Sequence, residues 1–182
     1  KILPEPTLDK IKSFYPEHYY SHQDSESSEE SKSFAHQFYS KLQDAILDRW
    51  YKKKPHTGFF LRNLSWFFKN SLLCVPLQKP RGDGKFLDIG SGSGYLVDKL
   101  SKYDWNCKGI DIIGEPSENN IIGDFLSVPF ENKFEYIRIH GVIEHVIDPD
   151  KYFKKVSELL ENNGECHISA PNSNCLSFKI FK

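Results

Sequence analysis

One stretch constrains this chain more than any other: Phe86-Leu87-Asp88-Ile89-Gly90-Ser91-Gly92-Ser93-Gly94. Its glycines follow directly on an apolar run, Lys85 to Ile89, that reads as a strand. They precede a helical pattern, Tyr95 to Lys102, with Leu96, Val97 and Leu100 on one side. A strand that hands over to a helix through a glycine loop is the opening unit of an open α/β sheet, and such sheets bind ligands outside the carboxyl ends of their strands. Glycine lets the backbone turn tightly and lets a ligand come close. The helix start adds free N–H groups and a partial positive charge. The bland alternative is a glycine-rich turn that binds nothing.

The rest of the C-terminal half keeps the alternation. Cys107 to Ile112, Asn120 to Gly123, Phe134 to His140 and Glu165 to Ala170 read as further strands. Asp148 is a candidate helix cap with Pro149 at the first helical position. Tyr152, Phe153, Val156, Leu159 and Leu160 then recur at helical spacing, and Gly164 is expected to end that helix. Strands alternating with helices predict an α/β fold with a mostly parallel sheet covered on both faces. Residues 1–84 read as an N-terminal helical and aromatic arm with a linker, and residues 85–182 as the core. In the arm, Phe34 to Tyr51 carries helical apolar spacing, and Ser21 to Ser33 is a polar, solvated run. Phe59 to Leu77 is apolar and aromatic with Arg62 and Lys69 alongside. It suits a helix packed on the domain, or weak contact with a membrane surface.

Composition narrows the partners. With 24 Lys and Arg against 25 Asp and Glu, the formal net charge is -1, so the global basic footprint of a nucleic-acid binder is missing. No nucleic-acid partner is therefore expected. The four cysteines form no CxxC pair and read as reduced thiols of a cytoplasmic protein. No run is long and apolar enough for a transmembrane segment. His18 and His22 lack accompanying acidic or thiol ligands, so no metal is expected.

Acids at successive strand ends choose between ligand classes. The dinucleotide pattern GxGxxG requires glycine where Tyr95 stands, and the loop fits GxGxG better. Asp88 lies just before the glycines. Asp111 ends the second strand and can accept both hydroxyls of a ribose, because an ionised carboxylate is acceptor-only. After the third strand, Asp124 can take the exocyclic amine of an adenine while Phe125 packs on the ring. Three carboxylates suit a nucleoside without phosphates and repel a pyrophosphate. A nicotinamide-dependent oxidoreductase is the rival reading.

With Asp88 to Gly94, Gly109-Ile110-Asp111 and Gly123-Asp124-Phe125 in order, the chain resembles class I S-adenosylmethionine-dependent methyltransferases. Val142-Ile143-Glu144-His145-Val146-Ile147-Asp148-Pro149 and Ser169-Ala170-Pro171-Asn172 make it similar to the subgroup of ubiquinone-biosynthesis O-methyltransferases and small-metabolite methyltransferases. Tyr15-Pro16-Glu17-His18-Tyr19-Tyr20 is similar to an N-terminal arm of that subgroup. The resemblance implies a Rossmann-like sandwich, S-adenosylmethionine as cofactor, S-adenosylhomocysteine as product, and a small-molecule acceptor. It implies that Gly90, Ser91, Gly92 and Gly94 line the methionine end and that Asp88 holds the amino group directly or through water. Asp111 would take the ribose, Ile112 would lie under the adenine, Asp124 and Phe125 would bind its edge, and His140 would neighbour the amino-acid moiety. The class has a seven-stranded sheet, so the last strands are expected to be missing from this chain. Between Asp111 and Asp124, where the class usually has a helix, Gly114, Pro116 and two Asn predict a loop.

Methyl transfer is an in-line displacement, so orientation carries much of the catalysis. A proton on the acceptor needs a base, for which His145 beside Glu144 is the first candidate; a structural role before Pro149 is the alternative. Tyr19 and Tyr20 are candidates for a lid, and Asn172 for acceptor binding. A module that binds the cofactor without turnover is the second rival.

Overall fold

The computed structural model describes residues 34–51, 58–67, 83–103 and 105–172. Two helices come first, α1 (Phe34–Tyr51) and α2 (Phe59–Phe67). The α/β unit follows: β1 (Lys85–Ile89), α3 (Tyr95–Leu100), β2 (Asn106–Asp111), β3 (Asn120–Ile122), β4 (Phe134–His140), α4 (Pro149–Leu159) and β5 (Leu160–Ser169). The five strands form one sheet in the order β3-β2-β1-β4-β5. Every pairing is parallel.

Side-chain alternation along β1 explains the layers. Phe86 joins Ile46, Leu47, Val97, Leu100, Trp105, Cys107 and Tyr136 in a core under α1 and α3. Leu87 and Ile89, on the opposite face, join Ile110, Ile137, Ile139, Phe125, Tyr152 and Val156 under α4. A sheet buried on both faces needs apolar residues at successive positions, and Phe86 through Ile89 are all buried. Ile46 and Leu47 are fully buried in the first core, so α1 shares the core with β1. A polar clasp reinforces this docking. The Lys99 ammonium lies 3.1 Å from the Asp44 carboxylate and donates to Tyr95 Oη at 2.9 Å and to Ser40 Oγ at 3.3 Å.

Helix α4 starts as expected: Asp148 Oδ1 accepts from Lys151 N at 3.2 Å, and Pro149 opens the first turn. It buries Tyr152, Val156 and Leu159, while Phe153 is exposed. Its end differs from expectation. The helix stops at Leu159, not at Gly164, because Leu160 is already extended and pairs with Phe134. Glu165 pairs with Tyr136, so the chain between bulges out of register, and Asn163 takes the left-handed conformation at φ 64°. Residues 112–119 form the expected loop. Of the cysteines, Cys74 and Cys175 lie outside the described residues; Cys107 and Cys166 are free thiols, and burial pushes Cys107 up to about 12.

Candidate ligand site at the carboxyl edge of the sheet

β1 pairs with β2 on one side and with β4 on the other, so the strand order reverses between β1 and β4, and the glycine loop leaves the sheet at this switch point. The loop begins by extending the ladder: Gly90 N donates to Ile110 O at 2.8 Å. It then turns through left-handed residues, with Gly90 at φ 81°, Gly92 at 56° and Gly94 at 77°. At Gly90 a Cβ would also run into Val142 Cγ2, so the turn after β4 closes directly on the loop. Gly94 starts α3, and its carbonyl accepts from Asp98 N at 3.0 Å.

Asp111 binds this loop to β2. Its Oδ2 accepts from Gly92 N at 2.8 Å and its Oδ1 from Ile113 N at 3.1 Å. Each oxygen retains a second lone pair for an incoming hydroxyl. Asn120, 3% exposed at the start of β3, adds a latch that sequence reasoning missed. It accepts from Ser91 Oγ at 2.5 Å through Oδ1 and donates to Gly92 O at 3.2 Å through Nδ2. Gly109 makes room for the latch: a Cβ there would collide with Asn120 Oδ1 and sit 2.8 Å from Ser91 Oγ. Nothing local marks Asn120 in the sequence, because its partners are 28 and 29 residues away.

Asp124 starts a turn after β3. Its Oδ1 accepts from Leu126 N at 3.3 Å and its Oδ2 from Ser127 Oγ at 2.6 Å. Lys155 of α4 holds the turn from below, donating to the carbonyls of Phe125 at 2.6 Å, Leu126 at 3.1 Å and Val128 at 2.6 Å. Phe125 corrects an expectation. Its ring is 2% exposed and packs against Tyr152 at 4.9 Å, so it fills the core and is not available to stack on an adenine. Burial, then the Asp124 and Asp111 carboxylates, push the Tyr152 hydroxyl up to about 12.

Asp88 is the second correction. It is 1% exposed, and Arg138 Nη1 donates to its Oδ1 at 2.7 Å. A carboxylate so placed braces β1 against β4 and does not itself reach a ligand in the crevice directly. Burial pushes it upward, against the pull of Arg138. Arg138 was legible in principle, as the one Arg or Lys of β4, in register with the one acid of β1.

The β4 side carries the remaining groups. His140 is half-buried at the strand end, with a buried Nδ1 that has no hydrogen-bond partner. Burial, then Arg138 and His167, push it below the usual imidazole range. Glu144 and His145 are exposed on the short 3-10 turn Ile143–His145. Ile112 is half-buried beside Asp111, and Asn172 is exposed beyond β5. Tyr19 and Tyr20 lie outside the described residues. Among the described residues no His, Cys, Asp and Glu group could hold a metal ion.

A family model described as a methyltransferase domain matches residues 34–180. Three curated relatives are named ubiquinone biosynthesis O-methyltransferase. The one from Bradyrhizobium diazoefficiens is 29% identical over 54% of this chain and 44% of its own length. For Pelagibacter ubique the values are 27%, 77% and 65%, and for Actinobacillus pleuropneumoniae 26%, 53% and 49%. The chain thus spans about half to two-thirds of the relatives it matches. A crystal structure of a Pyrococcus horikoshii protein is similar at 21% identity, 68% of this chain, 60% of that one and TM-score 0.47. Another, of coclaurine N-methyltransferase bound to N-methylheliamine and SAH, gives 13%, 90%, 58% and 0.42. With a family model running from α1 past β5, over the glycine loop and strand-end acids described above, the chain belongs to the methyltransferase domain family, of the class I kind that its sequence resembles.

Proposed function

We propose that the carboxyl edge binds S-adenosylmethionine and that the chain transfers its methyl group to a small-molecule acceptor, with oxygen the favoured nucleophile and nitrogen or carbon the alternatives. One observation carries the reading: the Asp111 carboxylate, the acid suited to a ribose, already holds Gly92 N in the glycine loop. The sugar-binding acid and the backbone that would receive the methionine end are therefore one preassembled unit. The names of the relatives favour an oxygen acceptor.

The residues fit the cofactor. Gly90, Ser91, Gly92 and Gly94 offer bare backbone to the methionine end, and Asp111 offers its two free lone pairs to the ribose hydroxyls. Ile112 borders the adenine, Asp124 takes its amine, and the main chain at Phe125 takes the ring edge. His140, neutral at neutral pH by its downward shift, serves as a hydrogen-bonding neighbour of the amino-acid moiety. Asp88 acts from behind the loop through Arg138 or a water. S-adenosylmethionine supplies an electrophilic methyl carbon on a sulfonium. His145, supported by Glu144, takes the acceptor's proton, and Asn172, Tyr19 and Tyr20 border the acceptor.

Calorimetric titration with S-adenosylhomocysteine tests the reading. Wild-type protein binds it, and Asp111→Ala weakens binding by roughly 1–3 kcal/mol, the cost of orphaned hydroxyls. A thermal shift with NAD and none with S-adenosylhomocysteine overturns the assignment. Binding without methyl transfer to any acceptor of a metabolite panel overturns the catalytic half alone.

A further inference from the structure

Helix α4 carries one side chain that reaches the turn after β3. The Lys155 ammonium donates there to the carbonyl oxygens of Phe125 at 2.6 Å, Leu126 at 3.1 Å and Val128 at 2.6 Å. It also lies over the Phe125 and Phe130 rings, 5.0 and 5.5 Å from their centroids. An ammonium has three N–H groups, so these carbonyls saturate it. What they fix lies on the other side of the peptide planes. A trans peptide is rigid, and its N–H points away from its C=O. The peptide that ends in Phe125 O carries Leu126 N, which donates to Asp124 Oδ1 at 3.3 Å. The next peptide, with Leu126 O, carries Ser127 N, which donates to Asp124 O at 3.0 Å.

Both contacts hold Asp124, the first by its side chain and the second by its main chain. The carboxylate is thus aimed by successive peptide planes, each gripped at its far side by one ammonium. Its own strand gives less support, because β3 has three residues and stands at the end of the strand order. Ser127 Oγ donates to Oδ2 at 2.6 Å, so each carboxylate oxygen keeps a lone pair for one further donor. Without the ammonium the carbonyls lose their cation, the planes are free to turn, and the Leu126 N–H can leave the carboxylate. We propose, resting on the reading that Asp124 takes the purine amine, that Lys155 is a positioning residue for that amine. Acting through the turn, it sets the preference of the site for a 6-aminopurine.

Calorimetric titration of the full chain with S-adenosylhomocysteine, and with its analogue bearing hydrogen in place of the purine amine, tests this. Wild-type protein is expected to favour the amine by about tenfold, the size of one hydrogen bond to a charged group. Lys155→Met is expected to lose about tenfold for S-adenosylhomocysteine and little for the analogue, so that the preference disappears. Lys154→Met, one residue away and exposed, is expected to keep the preference. A purely structural role for Lys155 would weaken both ligands alike. Should Lys155→Met unfold, Lys155→Gln, which keeps a donor without the charge, is expected to shift the preference in the same direction. A preference that survives the folded variant, an equal loss for both ligands, or no preference in the wild type overturns the proposal and leaves the S-adenosylmethionine reading standing. A wild type that binds neither ligand overturns that reading, and this proposal with it.

Discussion

The two halves of the carboxyl edge are built differently. On the β1-β2-β3 side each polar group is tied to the main chain or to another side chain: Asp111 to Gly92 and Ile113, Asn120 to Ser91 and Gly92, Asp124 to Leu126 and Ser127. On the β4 side, Glu144 and His145 stand exposed on a three-residue turn, and His140 keeps a buried nitrogen without a partner. Preorganised donors and acceptors suit a ligand of fixed shape. The proposed cofactor is such a ligand, and the proposed acceptor would meet the solvent-exposed Glu144 and His145. The seam between the halves is the Asp88–Arg138 pair, which joins β1 to β4.

Substitutions can break this contrast. Removing the seam should cost most. Arg138→Met leaves a buried carboxylate uncompensated, at about 3–5 kcal/mol in denaturant unfolding. With its counter-ion gone, the Asp88 pKa, already raised by burial, rises further. The sign follows: stability is kept at low pH and lost as pH climbs through the folded-state value. A cost below about 1 kcal/mol would mean that the pair is not the seam. Next comes His145→Ala, expected to lower kcat about 100-fold with cofactor affinity within about 0.5 kcal/mol of wild type. An unchanged rate removes His145 as the base; a matching loss of affinity would blur the two halves.

Gly109→Ala probes the preorganised side. The added methyl meets Asn120 and Ser91, so unfolding should be easier by about 1–3 kcal/mol, and S-adenosylhomocysteine should bind more weakly. Unaltered binding would show that the latch does not shape the loop. The smallest effect is that of His140. Its folded-state pKa lies below the ordinary 6.5, so the neutral form is favoured on folding. That contribution is present above pH 6.5 and is lost as pH falls through the folded-state value. His140→Asn should flatten the acid limb of a stability-against-pH curve.

What the sequence made legible follows from locality. The glycine loop, the first four strands and the Asp148-Pro149 helix start are each written in a few consecutive residues, and each stands within a residue of where that pattern predicts, whereas the fifth strand starts at Leu160 rather than Glu165. Contacts made across the fold were not legible. Asn120 meets Ser91 only because β3 lies beside β2 and Gly109 lacks a side chain. Phe125 misled because an aromatic at a strand end suits a ligand floor and a core equally; the burial that decides between them comes from Phe130 and Tyr152. Gly164 misled because Leu160 joins β5 before the glycine is reached.

Lys155 has a consequence for how this fold can vary. Beyond its own internal hydrogen bonds, the turn after β3 hangs from an ammonium on α4. Residues 131–133 can therefore lengthen, shorten or change character among descendants of this protein while the acid at position 124 keeps its station, whereas Phe130 is tied to the core through Phe125 and Phe134. Drift in that connection is cheap only as long as the lysine is inherited with it.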